Sequence, residues 1–397
     1  MTEQMFPWKD DQYEQFLKKD EYLRQLCLRS KPKILPHMTT ADVARDMDRV
    51  REVLGQKQIS YYGVSYGSFL GATYANLFPS RVRSMVVDGV IDPVAWSTGR
   101  GDEAKTVPTT TRLRSDIGAH EGLMAAIAEC ENVGERYCQE HADIREDWAA
   151  LTTRLRNESV VLGEGENSFP ITYDFIVAMT LSSLYDPEAI PDLLAFIHEF
   201  RQVVDNPAAT PNKPTAKLER TYRKVVDRDR ENREKRIAYD PPVPEEPEWV
   251  FQWMPTFEGV VCSETRNPQD PRAWIAAGKM ADRRAPGFGP LWTWASSVCG
   301  GVPNAPSAYY GPYTTKPAGG IMVMSTKHDP ATPYYGAQAM HALSPGSRMI
   351  TVDGWGHATL DMSGCATKAR NSYLISGKLP AKNRVCKPDH GLFTALD

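Results

Sequence analysis

The chain has 397 residues, 46 Lys and Arg against 50 Asp and Glu for a net charge of −4, and a hydrophobic share of 41%. So even a balance gives no general pull toward nucleic acid or an anionic membrane, and that hydrophobic share excludes wholesale disorder. No apolar run approaches the ~20 residues of a membrane-spanning helix, and the polar opening MTEQMFPWKDDQYEQF lacks the basic-then-apolar pattern of a signal peptide, so a soluble chain is expected.

Residues 1–38 read as short helices and loop, interrupted by Pro32 and Pro36. Thr39 can cap a helix, with Asp42 three positions on. Val43, Met47, Val50, Val53 and Leu54 then recur at helical spacing and predict an amphipathic helix over about 41–55, ended by Gly55. Residues 59–64 (ISYYGV) form a β-rich run, 68–78 a helix and 84–90 (SMVVDGV) a short apolar strand. From about 100 to 305 the apolar residues recur at helical spacing, within 123–127, 148–155, 175–184 and 190–200, separated by the proline-rich breaks NPAATPNKP and YDPPVPEEPEW. The stretch 217–236 carries nine basic and five acidic residues. Interspersed signs on a helix favour a solvated face over a nucleic-acid or membrane patch. Strand–helix alternation returns with 319–325 (GGIMVMS), a helix over 334–343, a strand over 347–353 and a helix around 364–376. This order predicts one α/β domain, split between 1–100 and 306–397, that carries a helical cap over 101–305.

Of the seven cysteines, six fall into neighbouring couples: Cys130/Cys138, Cys262/Cys299 and Cys365/Cys386. Local disulfides and an oxidising compartment are one reading, and seven thiols in a cytosolic enzyme the other. Cys27 stands outside the couples. There is no C-x-x-C and no Cys/His cluster at zinc-ligand spacing, so no metal site is expected.

Chemistry concentrates at Gly63-Val64-Ser65-Tyr66-Gly67. In a nucleophile elbow a strand turns sharply into a helix, the Ser is held strained with its hydroxyl exposed, and the flanking glycines let the two backbones approach. Here the motif follows a β-rich run and precedes a helix. A serine hydroxyl needs a base, and the base an orienting acid. His357 lies on a Gly-flanked loop (DGWGHA) after an apolar strand, and Asp329 lies 28 residues earlier in KHDP, after GGIMVMS. The order Ser65, Asp329, His357 is that of α/β hydrolases. Two carboxylates compete with Asp329: Asp88, at the end of the strand after the elbow helix, and Asp353, four residues before His357. The remaining histidines (37, 120, 141, 198, 328, 341 and 390) lack this setting and are expected to be structural.

The run TTADVARDMDRVREVLGQKQISYYGVSYGSFLGATYANLFPSRVRSMVVDGVIDP resembles the secreted tripeptidyl aminopeptidases of actinobacteria, a prolyl-aminopeptidase-like group of α/β hydrolases. GGIMVMSTKHDPATPYYGAQAM, VDGWGHATL, Cys365, Tyr373-Leu374, Gly377-Lys378-Leu379-Pro380 and Cys386 are similar to that family's C-terminal part. The resemblance implies an α/β-hydrolase fold, an extracellular serine exopeptidase releasing short peptides from free N-termini, no metal or organic cofactor, and no nucleic-acid or membrane partner. It also supports the three cysteine couples as disulfides.

The family carries about four strands before the elbow strand, with a Gly-Gly-Pro-Gly-type loop that donates one oxyanion N–H; nothing before Ser65 fits that loop. The chain therefore reads as a member lacking its N-terminal strands. The backbone N–H of Tyr66 supplies one oxyanion donor, the second would come from a complementing N-terminal segment, and a cysteine of that segment would pair with Cys27. An esterase, thioesterase or acyltransferase with the same triad, acting on a small acyl substrate, stays open, as does an inactive or partner-dependent peptide-binding homologue. For an aminopeptidase, a carboxylate must meet the substrate's α-ammonium. The segment FEGVVCSE offers Glu264, two positions after Cys262, and then Glu258.

Overall fold

A computed structural model of the chain describes residues 4–30, 33–162, 169–205, 216–237 and 256–393. The two proline-rich breaks lie outside the described residues. Contacts divide the chain into two compact units, Met1–Leu123 with Phe257–Gly391, and Met124–Thr256 with Leu392–Asp397.

The first unit is built on a five-stranded sheet in the order β1-β2-β5-β6-β7, with every pair parallel. Its strands are β1 (Ile59–Val64), β2 (Val82–Asp88), β5 (Met322–His328), β6 (Arg348–Trp355) and β7 (Arg384–Cys386). Parallel neighbours need crossovers. The helices Tyr66–Leu77, Tyr334–Leu343 and Gly364–Ser376 supply three of them. The apolar runs predicted as strands are near-continuous because both faces are covered. Met85, Val87 and Val323 enter one apolar cluster, while Val86, Met322, Met324, Ile350 and Val352 enter the other. This is the alternation a pleated strand imposes.

Two expectations about the N-terminal part change. Residues 10–30 form one helix, α1 (Asp10–Ser30), in place of short pieces. Tyr13 stacks on Trp294 at 5.8 Å and Phe16 meets the same ring edge-on at 5.7 Å, so distant packing sustains a helix whose own sequence is mostly polar. The next helix, α2 (Thr40–Val53), starts as predicted, with the Asp42 N–H donating to Thr39 Oγ1 at 3.2 Å. Its buried face is the other one, however: Thr40, Ala41, Ala44 and Asp48 are buried, whereas Val43, Val50, Val53 and Leu54 are 38–75% exposed. Among the described residues β1 is an edge strand of the sheet.

The border of the insertion also differs from 101–305. Residues 101–123 and 257–305 belong with the first unit. Arg112 there donates to the carbonyls of Ala95, Trp96 and Arg266, and the disulfide Cys262–Cys299 lies in that unit's apolar core. The second unit contains the helices Ile144–Leu155, Tyr173–Leu184, Ile190–Asp205 and Ala216–Ile237, and the short antiparallel pair β3 (Val160–Leu162) and β4 (Phe169–Ile171). On its charged helix, Leu218 and Val225 are buried while Lys224 and Arg228 pair with Asp192 at 3.2 and 3.6 Å, the pattern of a solvated face.

All three cysteine couples are disulfides, Cys130–Cys138, Cys262–Cys299 and Cys365–Cys386, each contributing on the order of 2–4 kcal/mol and belonging to an oxidising environment. Cys27 is half-buried in α1. No helix among the described residues is long and apolar enough to cross a membrane.

Candidate active site

Ser65 joins β1 to the helix α3 (Tyr66–Leu77) with φ 57° and ψ −122°, a conformation that costs an L residue about 1–3 kcal/mol. The surroundings over-determine it. Its N–H donates to the Asp88 carbonyl at 2.9 Å, and its carbonyl accepts from the N–H of Ser68 at 2.8 Å and the Ser68 hydroxyl at 2.5 Å. That hydroxyl in turn accepts the Ile91 N–H at 2.9 Å. A Cβ on Gly63 would sit 2.3 Å from the Gly67 carbonyl oxygen, so strand and helix do touch there; at Gly67 a Cβ would meet nothing nearer than Tyr61 Oη at 3.4 Å. Only the first glycine of the motif is sterically obligatory. Tyr66 opens α3, and among the described residues its N–H has no acceptor, as expected for a helix's first turn.

Asp329 follows β5 and is completely buried. Its Oδ1 accepts the N–H groups of Ala331 and Thr332 at 2.9 and 2.8 Å, and Oδ2 accepts the Thr332 hydroxyl and the Ala358 N–H, both at 2.9 Å. His357 Nδ1 lies 3.0 and 3.1 Å from the two oxygens. Since the carboxylate can only accept, Nδ1 carries the proton and Nε2 is left as the basic nitrogen. Burial pushes the Asp329 carboxyl up, but the charge of His357 and the hydrogen bonds from His357, Ala358 and Thr332 outweigh it, and the net direction is down. Gly356 and Ala358, on either side of the histidine, have φ 105° and 66°, so the loop is as sharply turned as the elbow.

Asp88 occupies a different role from the one weighed for it. It is fully buried and touches no histidine; Oδ1 accepts the Thr359 N–H at 3.0 Å, and Oδ2 accepts the hydroxyls of Thr359 and Tyr62 at 2.7 and 2.9 Å. Burial pushes this carboxyl up, against the hydrogen bonds from Thr359 and Tyr62. One residue thus holds the elbow through its carbonyl and the histidine loop through its side chain. Sequence reasoning missed this link; the signal was Thr359 two positions after His357 and an Asp-Gly step at a strand end. Asp353 instead forms an ion pair with Lys327 at 3.1 Å, with both side chains about half exposed, an arrangement worth little.

Glu264 ends the helix Thr256–Glu264 and is 2% exposed. Oε2 accepts the Thr40 N–H at 2.6 Å, and Oε1 accepts the Thr40 hydroxyl at 2.9 Å and Trp96 Nε1 at 2.8 Å. Thr40 Oγ1 also bonds the Tyr66 hydroxyl, which connects the carboxylate to the residue after Ser65. Burial, opposed by these bonds, raises the Glu264 carboxyl to about 7. Glu258 is half-exposed in the first turn of the same helix. Among the described residues no group of three or more His, Cys, Asp or Glu could hold a metal ion.

Comparison with known proteins adds the family. The α/β-hydrolase-fold description matches residues 23–113, which include Ser65, and the TAP-like protein description matches 285–386, which include Asp329 and His357. A tripeptidyl aminopeptidase of Streptomyces lividans is 26% identical over 378 residues, covering 91% of this chain and 60% of that protein. The serine protease Hip1 of Mycobacterium tuberculosis is 27% identical over 362 residues, covering 89% and 62%. Carboxylesterase B of the same organism is 28% identical over 362 residues, covering 89% and 61%. The chain thus spans about three fifths of the length of the curated relatives it matches. Ser65, Asp329 and His357 fall within the two matched regions in the order expected of an α/β hydrolase; the chain has the α/β-hydrolase fold and is similar to tripeptidyl aminopeptidases.

Proposed function

We propose that the chain is a serine hydrolase that releases short peptides from free N-termini through an acyl-enzyme. The observation that carries this is the pairing of His357 with buried Asp329 on a loop that Asp88 ties to the elbow, where Ser65 is held at φ 57°. Ser65 Oγ attacks the scissile carbonyl as His357 Nε2 takes its proton; Asp329 fixes the tautomer and stabilises the imidazolium; the Tyr66 N–H donates to the developing oxyanion; His357 then protonates the leaving amine, and water repeats the sequence in deacylation. None of these steps calls for a metal or an organic cofactor. The relatives named tripeptidyl aminopeptidase and serine protease support a peptide as the acyl donor, and with the three disulfides they support an extracellular location.

Glu264 is the residue proposed to meet the substrate's α-ammonium. A carboxylate has about four lone-pair sites, three of which are occupied here, leaving one on Oε2. Wild type is expected to prefer a free-amine peptide over its N-acetylated counterpart in kcat/KM, and Glu264→Gln to lose that preference. The ammonium needs the ionised form, and the free carboxyl titrates at about 7, so KM for the amine substrate should rise about tenfold per pH unit below neutrality while the acetylated substrate shows no such limb. If acetylation costs wild type nothing, the second reading takes over: an esterase, thioesterase or acyltransferase, which the carboxylesterase B relative favours. If Glu264→Gln keeps the preference, Glu258 is the next candidate.

A complementing N-terminal segment is proposed as the partner. It would pair along the open edge of β1, cover Val43, Val50 and Leu54, and bring the second oxyanion donor; without it the chain would bind peptides with little turnover. Co-expression with the strands that the family carries ahead of the elbow should raise kcat by about 10²–10³. Full activity of the chain alone, unchanged by the added strands, removes the partner from the scheme.

A further inference from the structure

The first unit contains a cavity of about 570 Å3, lined by none of Ser65, Asp329 and His357, between the loop after β2 and the helix Tyr334–Leu343. Arg112 forms part of its wall and is 5% exposed. Its Nε donates to the Ala95 carbonyl at 2.9 Å, Nη1 to Val107 at 2.7 Å, and Nη2 to Trp96 and Arg266 at 3.2 and 2.9 Å. Every acceptor is a neutral carbonyl, and among the described residues no carboxylate lies within ion-pair distance of it. A buried guanidinium is ordinarily paired. Burial lowers its pKa to about 10, with Glu103 working against the shift, so it is cationic at neutral pH and makes the wall electropositive.

Arg114 stands at the same cavity with φ 61°, a backbone conformation an L residue adopts only when its surroundings impose it. Its guanidinium lies 4.4 Å over the Tyr335 ring, whose hydroxyl is bonded to Glu121. It has no carboxylate partner among the described residues. The acids of the lining are already engaged. Asp92 caps the short helix Pro93–Ser97 through Oδ1 and pairs with Arg100 at 2.8 Å through Oδ2, while Glu103 Oε2 accepts the Arg100 N–H at 3.0 Å. Three guanidiniums face two carboxylates, a surplus of one positive charge. Leu113, Ala339 and the Tyr335 ring complete the lining with apolar surface.

We propose that this cavity is a binding site for the carboxylate of a small acid with an apolar body, held by the Arg114 fork over Tyr335 with Arg112 behind it. A planar monoanion suits a guanidinium fork and a single surplus charge; a dianion would be repelled by Asp92 and Glu103. The site does not depend on the hydrolase reading, because none of its residues belongs to the triad.

Calorimetric titration of the full chain carrying Ser65→Ala, which excludes turnover, tests this with N-acetyl-leucine and N-acetyl-leucinamide. The acid should bind and the amide bind at least about tenfold more weakly. Arg114→Gly removes the fork yet suits φ 61°, so it should fold at least as stably while weakening the acid about tenfold or more, and Arg114→Lys should fall between. Equal binding of acid and amide, no binding of the acid at millimolar concentration, or unchanged affinity in Arg114→Gly would overturn the assignment. 4-Methylpentanoate separates the sources: equal affinity to N-acetyl-leucine assigns the site to free acids, and binding of the acylated amino acid alone assigns it to peptide C-termini.

Discussion

Ser65→Ala is expected to abolish labelling by a fluorophosphonate and to lower turnover about 10⁶-fold while leaving the melting temperature unchanged. Both halves follow from the elbow. The hydroxyl is the group proposed to form the acyl bond, and it makes no capping bond to α3, so its removal takes nothing from the fold. The strained backbone is held by main-chain bonds to Asp88 and Ser68, which alanine keeps. His357→Ala should match it, because members of a triad fail as a unit. Undiminished labelling of the Ser65 variant would remove the nucleophile assignment, whatever substrate the enzyme takes.

Asp329→Asn should lower kcat about 10⁴-fold with little change in KM, the loss seen where an orienting carboxylate becomes an amide and the base is held in the wrong tautomer. Asp88→Asn should be milder, about tenfold in kcat, because the loop loosens but His357 keeps its acid. The two variants discriminate between roles that sequence left in competition: Asp329 meets the imidazole, and Asp88 meets Thr359, two residues beyond it. Steady-state kinetics of both decide it. A larger loss at Asp88 would move the acid to β2.

The strand–turn–helix around Ser65 and the late strands before Asp329 and His357 were legible in the sequence because each rests on short-range pattern: β-rich runs, glycines at fixed offsets, and a fixed order of catalytic types. What was not legible depends on contacts across the chain. The single helix 10–30 is sustained by Trp294, hundreds of residues away in sequence. The amphipathic helix 40–53 has the predicted period but buries its alanine and Asp48 face, since period alone does not say which side meets the protein. Glu264 could be named a candidate from its place after Cys262, but its burial and the donation of Thr40 and Trp96 to it depend on segments more than 160 residues away in sequence. The insertion border at 101–305 drew in segments whose helical spacing looks the same whether they pack on a sheet or on each other.

Natural sheets blunt their outermost strands with prolines, lysines or mid-strand bulges, because a bare row of amides recruits any extended polypeptide nearby. β1 reads Ile-Ser-Tyr-Tyr-Gly-Val, with no proline and no charge, and its one register irregularity lies at the very start, between Ile59 and Ser60. When nothing else occupies that row, the readiest recruit in a concentrated solution is β1 of another copy. Wherever that row stays bare, the six residues that lead into Ser65 also offer a surface for association between copies.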